Sequence, residues 1–412
     1  MQTLVRFRRR AGAVGVLAFL AVAGAAAPPA ESTFPGVPGR IAFTREAPGP
    51  SFNFEIFAIN PDGSGLLDLT NSPEDEFAPS YSADGSVIAF VRYPLDFDLE
   101  SEIYVMGADG SGQANLTNDP AADFNPSFSA GAGRLALERD FSGADSEIVV
   151  MNSDGSGQVP VTSDPAEDSN PAFFPDGTRI AFERQPSGGD AEILVMNSDG
   201  SAPVQVSNFP TDDVDPAVSP DGRQIAFARD TDPTFEESYD IFVMNADGSG
   251  QFDLTNTPTT NETAPTFSPD GSRIAFVREP DPESDLFETD IFIHNIDGSG
   301  EVNLTNTTTV SEFAPDWQAI PVPCGKAHAT LVGTEGADQL IGTAAADVIA
   351  GLGGNDIIKG VEGRDLICGG DGNDRLNGGQ GKDKLYGEAD KDKCDGAQGK
   401  DKAFKCEKKV DV

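Results

Sequence analysis

The chain has 412 residues, with 28 Lys and Arg against 68 Asp and Glu and a formal net charge of −40. Such acidity argues against nucleic acid, whose phosphates want Lys and Arg, and favours cations and solubility. A chain of this length suggests two or three domains.

At the N-terminus, Arg6, Arg8, Arg9 and Arg10 precede an apolar stretch over 11–23 and small residues over 25–27. That is the pattern of a secretory signal, assigned to residues 1–27 with a linker over 28–37. The apolar stretch is short for a membrane span, and no later segment could cross a bilayer as a helix. Adjacent arginines hint at twin-arginine export, but the rest of that motif is missing, so the general route is expected. No cysteine lies near the cleavage region, which argues against a lipid anchor.

From residue 38 to 318 a unit of about 45–50 residues recurs six times. Each opens on a strand ending in arginine: IAFTR at 41–45, IAFVR at 88–92, LALER at 135–139, IAFER at 180–184, IAFAR at 225–229, IAFVR at 274–278. An alternating strand and an Asp-Gly turn follow (EIFAINPDGSG from Glu55, DIFVMNADGSG from Asp240), then a short strand, then a proline-marked strand and another turn. Asp-Gly between alternating apolar runs is a strong hairpin signal, so each unit holds four short antiparallel strands, the make-up of a propeller blade. The first unit lacks its proline-marked strand, and APDWQ at 314–318 is such a strand with nothing after it. That surplus strand is expected to seal a six-bladed ring. These motifs resemble the propeller repeats of TolB and of related periplasmic and cell-surface proteins. The resemblance is specific for the fold and poor for the activity.

An acid lies three residues before each inner-strand proline: Glu76, Asp123, Asp168, Asp213, Glu262 and Glu312. In a ring these carboxylates would circle one mouth of the channel, as a site for a cation or a positively charged peptide. Hairpin counting offers a plainer role. It sets Arg92 opposite Phe77, next to Glu76, so each strand-terminal arginine could neutralise an acid. Tyr81, Phe128, Phe173, Val218, Phe267 and Trp317 share one place on the inner strands and are read as packing between blades. His294 and His328 are isolated, and no GxSxG or HExxH motif occurs.

Beyond a linker over 319–332, residues 333–404 repeat every nine residues. Asp338, Asp347, Asp356, Asp365, Asp374, Asp383, Asp392 and Asp401 each follow a glycine by five residues. Each precedes an apolar or small residue by two, from Leu340 to Ala403. Carboxylates in phase with a coiling backbone must stack, and stacked like charges call for a cation. A disordered Gly/Asp-rich tail is the bland alternative, but strict phase over eight units speaks against it. The segment resembles the hemolysin-type (RTX) calcium-binding nonapeptide, which GGDGND at 369–374 and GGQGKD at 378–383 match in full. The resemblance implies a parallel β-roll with two nonapeptides per coil, residues eighteen apart stacked, and all eight aspartates as Ca²⁺ ligands. Missing glycines at the flanks make Asp356, Asp365, Asp374 and Asp383 the best candidates. Lys384, Lys393 and Lys402 should form an outward ladder, either a solvated edge or a partial substitute for calcium.

An even cysteine count in an exported chain predicts two disulfides with three possible connectivities. Cys394 occupies an inward site and Cys406 lies just past the eighth repeat, which favours Cys394–Cys406 and leaves Cys324–Cys368. A cysteine metal site is weaker, because no CxxC pair exists. The residues 405–412 are read as a tail. The expected protein is all-β, secreted or held in the periplasm or at the cell surface, and monomeric or weakly associating. Its calcium-binding roll follows a propeller that acts as a non-catalytic platform for a protein or glycan. The loops 46–54, 93–101, 230–239 and 279–289 would carry specificity. The competing class is a secreted hydrolase or lyase acting at the acidic mouth.

Overall fold

The computed structural model describes residues 36–410 apart from 48–52, 96–99, 130–132, 142–144, 232–237, 258–259, 280–287, 308, 330 and 335. The signal assigned to 1–27 and most of its linker lie outside the described residues, as do the centres of the four variable loops. Every regular element among the described residues is a strand, and no helix there is long and apolar enough to cross a membrane. One compact unit covers Gly39–Gln318 and a second runs from Ala319 onward.

The first unit is a six-bladed propeller. Blade 2 shows the plan, with antiparallel strands Asp75–Tyr81, Val87–Tyr93, Glu102–Gly107 and Ala114–Asn115 from the innermost outward. Four of the other five blades repeat that order in sequence. Blade 1 is different: Glu312–Ile320 pairs beside Val37–Glu46, followed by Phe54–Ile59 and Leu67–Asp68. The C-terminal strand therefore closes the ring, as the strand count predicted. Each IAF segment is buried on both faces, with Ile88, Ala89 and Phe90 all at 0% exposure, because each blade is covered by a neighbour on either side. Tyr81, Phe128, Phe173, Val218, Phe267 and Trp317 are all buried. Trp317 packs among Ile41 and Phe43 of blade 1 and Ala275 and Val277 of blade 6, joining the first blade to the last.

One detail departs from the hairpin count. Pairing from Tyr81↔Ile88 shifts by one between Phe77 and Ser80, so Arg92 faces Glu76 itself rather than Phe77. The same bulge interrupts the inner strands of blades 3 to 6. Its cause is local. The proline lacks an amide to continue the ladder, and the residue before it takes a positive φ (Ala78 51°, Asn125 50°, Asn170 53°, Asp215 54°, Ala264 51°, Ala314 47°). Such a bulge puts two residues opposite one, which brings the acid into register with the arginine.

The second unit is a parallel β-solenoid of about four turns. Partners are eighteen residues apart on both long sheets: Ile349↔Ile367↔Leu385↔Ala403 on one, Leu340↔Ile358↔Leu376↔Cys394 on the other. The inward residues Ile349, Ile358, Ile367, Leu376, Leu385 and Cys394 form a single buried column. Alternate nonapeptides thus fall on opposite sides, which splits the expected lysine ladder. Lys384 pairs with Lys402 on one sheet, whereas Lys393 lies between Arg375 and Lys408 on the other. The segments read as linker and tail join the structure too. Leu331–Val332 begins one sheet and Lys408–Val410 ends the other. Of the three connectivities, the structure has Cys324–Cys368 and Cys394–Cys406.

Candidate metal centre

The roll stacks its aspartates by a repeated hydrogen bond. The amide of Asp338 donates to Oδ1 of Asp356 (2.8 Å), that of Asp347 to Asp365 (2.9 Å), and Asp356 likewise to Asp374 (2.9 Å). Asp365 donates to Asp383 (2.9 Å), Asp374 to Asp392 (3.0 Å) and Asp383 to Asp401 (2.8 Å). One oxygen of each accepting carboxylate is thereby used. The other, Oδ2, is buried without a partner in Asp356, Asp365, Asp374, Asp383, Asp392 and Asp401. A buried oxygen with no donor costs free energy, and six in two stacked rows are a strong reason for a bound cation.

The first two repeats differ for a reason visible in their sequence. Thr334 and Thr343 stand where the second glycine belongs. Their amides donate to Oδ2 of Asp338 and Asp347 at 2.6 Å, and their hydroxyls reach the same atoms at 3.0 and 3.1 Å. These two carboxylates are satisfied by the protein itself. The orphaned set contains the four aspartates that the glycine pattern favours and adds Asp392 and Asp401. In the seventh repeat Glu388 and Asp390 adopt positive φ (76° and 67°) despite lacking the glycine, so the turn survives its substitutions.

The first-place glycines shape the oxygen pockets. A Cβ on Gly351 would come closer than 3.0 Å to both Asp356 Oδ2 and Gly369 O, and one on Gly360 would do the same to Asp365 Oδ2 and Gly378 O. Each space therefore faces a carboxylate oxygen from one coil and a turn carbonyl from the next. Among the described residues no three His, Cys, Asp or Glu side chains converge as a metal cluster. The donor set is instead mixed, carboxylate plus main-chain carbonyl, which suits a hard ion such as Ca²⁺. Burial, with the neighbouring aspartates adding to it, pushes Asp365 and Asp374 up to about 6 and raises Asp356 as well. A cation would reverse that pressure.

The ring acids of the propeller are neutralised differently. Arg139, Arg184 and Arg229 clasp Asp123, Asp168 and Asp213 through two hydrogen bonds each, at 2.6–2.8 Å. Arg92, Arg278 and Arg45 reach Glu76, Glu262 and Glu312 through Oε1 alone, at 2.7–2.8 Å. All six carboxylates are fully buried. The ring thus has an aspartate half in blades 3 to 5 and a glutamate half in blades 6, 1 and 2, where Oε2 of Glu76, Glu262 and Glu312 has no partner. Burial pushes Glu76 and Glu312 up to about 8, with Glu55 and Asp290 adding to it and their arginines opposing it.

One group of residues escaped sequence reasoning. The bulge residues Asn125, Asn170 and Asp215 form an arc across three blades. Asn125 Nδ2 donates to Glu138 Oε2 (2.9 Å) and Asn170 Oδ1 (2.8 Å), and Asn170 Nδ2 donates to Glu183 Oε2 (2.8 Å) and Asp215 Oδ1 (3.1 Å). Burial raises Asp215 to about 7 and Glu183 well above the carboxylate range. The available signal was Asn-Pro, Asn-Pro and Asp-Pro in three units against Ala-Pro in the others.

The fold and the aspartate rows define a six-bladed TolB-like propeller followed by a roll of RTX-type calcium-binding repeats. Residues 35–232 match the TolB beta propeller domain, and residues 332–367 and 369–403 match the RTX calcium-binding nonapeptide repeat. Among solved structures, the chain is similar to TolB from Acinetobacter baumannii at 20% identity and a TM-score of 0.58, over 68% of this chain and 67% of that one. It is also similar to a putative TolB from Agrobacterium tumefaciens (18%, TM-score 0.53, 68% and 91% covered). Kuenenia stuttgartiensis hydrazine synthase gives 15% identity and a TM-score of 0.57, over 69% of this chain and 47% of that one. At these identities the likeness is one of fold. No curated protein sequence matches significantly.

Proposed function

We propose that this chain is an exported calcium-binding protein whose propeller is a non-catalytic platform for a protein or an extracellular or envelope glycan. The observation that carries the calcium reading is the pair of buried rows of unpartnered Oδ2 atoms, those of Asp356, Asp365, Asp374 and Asp392 lying beside a carbonyl of the next coil. Asp356, Asp365, Asp374, Asp383, Asp392 and Asp401 would hold the ions, with carbonyls such as Gly369 O and Gly378 O. Bound calcium would supply positive charge between coils that otherwise repel. Export is supported by the arginine-led apolar leader in the sequence and by two disulfides, which persist in oxidising compartments. Calorimetric titration of the full chain should give calcium binding at about 10⁻⁴–10⁻³ M, the range of extracellular modules. An Asp365→Asn, Asp374→Asn double variant should lose a share of that heat. Absence of binding in the unaltered chain would refute the reading.

The partner claim rests on charge. Each ring acid is buried and paired with an arginine of its own blade, so none is open to a substrate, which favours binding over catalysis at the mouth. Further acids sit on the outer side of those arginines, with Asp119 on Arg139 and Asp164 on Arg184, both at 2.5 Å. Cationic peptides and glycans screened on the full chain should therefore lose binding on Asp119→Lys, Asp164→Lys substitution. Substrate turnover in that screen would favour the enzyme instead.

A further inference from the structure

The aspartate ladder does not stop where the nonapeptides do. In the regular part each aspartate amide donates to the carboxylate eighteen residues on. For Asp392 that position is Val410, which has no carboxylate. Its amide donates instead to Oε2 of Glu407 at 2.6 Å, fifteen residues on. The final half-turn is three residues short, since Lys393 pairs with Lys408 and the Lys408 amide donates to Asp392 O. Glu407 precedes Lys408 as Asp392 precedes Lys393, so the shortened half-turn sets its carboxylate in the register of the next rung.

The rest of the pocket is rebuilt as well. At Gly351, Gly360 and Gly369 the first-place glycine faces a carboxylate Oδ2 and the carbonyl of the first-place glycine one coil on. Gly387 faces Asp392 Oδ2 and the carbonyl of Lys405, each within 3.0 Å of where its Cβ would stand. Lys405 provides that carbonyl from a left-handed backbone, φ 47°. Asp392 is 2% exposed, and its Oδ2 has no partner. Cys406 lies between Lys405 and Glu407 and is bonded to the inward Cys394, so one disulfide fixes both groups against the coil below.

We infer that Asp392, the Lys405 carbonyl and Glu407 form a terminal calcium site where the nonapeptide repeats end, with Glu407 as a ninth rung and Cys394–Cys406 as its clamp. This rests on the proposal that the ladder binds calcium. Sequence phase hides it, because Glu407 is three residues early and Lys405 stands where a glycine belongs.

The test compares the full chain with its Glu407→Gln variant by native mass spectrometry in calcium and by amide exchange with and without calcium. The expected result is one calcium fewer in E407Q, with calcium-dependent protection lost over 388–408 and kept over 351–383. Equal stoichiometry and equal protection over 388–408 in both proteins would overturn the inference while leaving the repeat sites intact. Failure of the unaltered chain to bind calcium would overturn the parent reading and this one together, so the two failures are distinguishable. If E407Q loses the roll's β structure, Glu407→Asp, which keeps the charge and shortens the reach, takes its place with the same two outcomes.

Discussion

The propeller and the roll both repeat a carboxylate at one place in every unit, and they neutralise it in opposite ways. Each ring acid of the propeller faces an arginine of its own blade, brought into line by the proline bulge. In the roll the carboxylates spend one oxygen on an amide of the previous coil and leave the other bare. The first arrangement carries its counter-charge within the chain, although Oε2 of Glu76, Glu262 and Glu312 stays unpartnered. The second has no counter-charge and calls for one from solution. Repetition alone therefore says little about ion binding; what matters is whether each repeat carries its own counter-charge.

The strongest way to break this comparison is to remove a counter-charge from the propeller. Arg229→Ala leaves Asp213 buried and unpaired, which should cost about 3–5 kcal/mol, and added calcium should not restore it. Thermal unfolding in calcium and in chelator measures both effects. The roll's matching test is its longer covalent tie. Replacing Cys324 and Cys368 by serine frees a loop with a sequence separation of 44 and should destabilise the roll by about 4 kcal/mol on loop-closure grounds. Denaturant titration with and without calcium would read it, and an unchanged midpoint would count against a structural role. A smaller effect is expected at the arc between blades. Asn170→Ala strips donors from Glu183 and Asp215 and should cost about 1–3 kcal/mol, more at neutral pH than at pH 5, where protonated acids can donate to one another.

The gentlest probe is pH. Asp365 and Asp374 are raised in the folded roll from an ordinary value of 3.8 to about 6. A carboxyl raised on folding binds its proton more tightly in the native state, so stability falls as pH rises through that window. The calcium-free roll should thus weaken from pH 4 to pH 6 and level off above. With calcium the trend should invert, because protons compete with the ion below about pH 6. Melting temperatures with calcium and with chelator should meet near pH 4 and diverge as pH rises, because binding to the folded state only adds stability.

Much of this was legible because repeats in phase announce themselves. The ring closure by 314–318 and the acid–arginine pairing follow from counting along units, and the eighteen-residue coil from the resemblance of the nonapeptides to RTX repeats. What counting missed came from residues that break phase or belong to no single unit. The bulge at Ala78 moves Arg92 by one position, since proline cannot continue the ladder. Lys393 parts from Lys384 and Lys402 because alternate nonapeptides face opposite ways. The arc of Asn125, Asn170 and Asp215 joins three blades, and Glu407 enters the ladder three residues early. Thr334 and Thr343 read as mere departures from the motif, yet they satisfy their own aspartates.

Region-resolved amide exchange of the full chain in calcium and in chelator tests the contrast most directly. At a calcium concentration a hundred times Kd, one site adds about 2.7 kcal/mol, enough to slow exchange about a hundredfold. The account predicts that slowing over 351–404 and none in the inner strands of the propeller. Equal exchange over 351–404 in both conditions would contradict it.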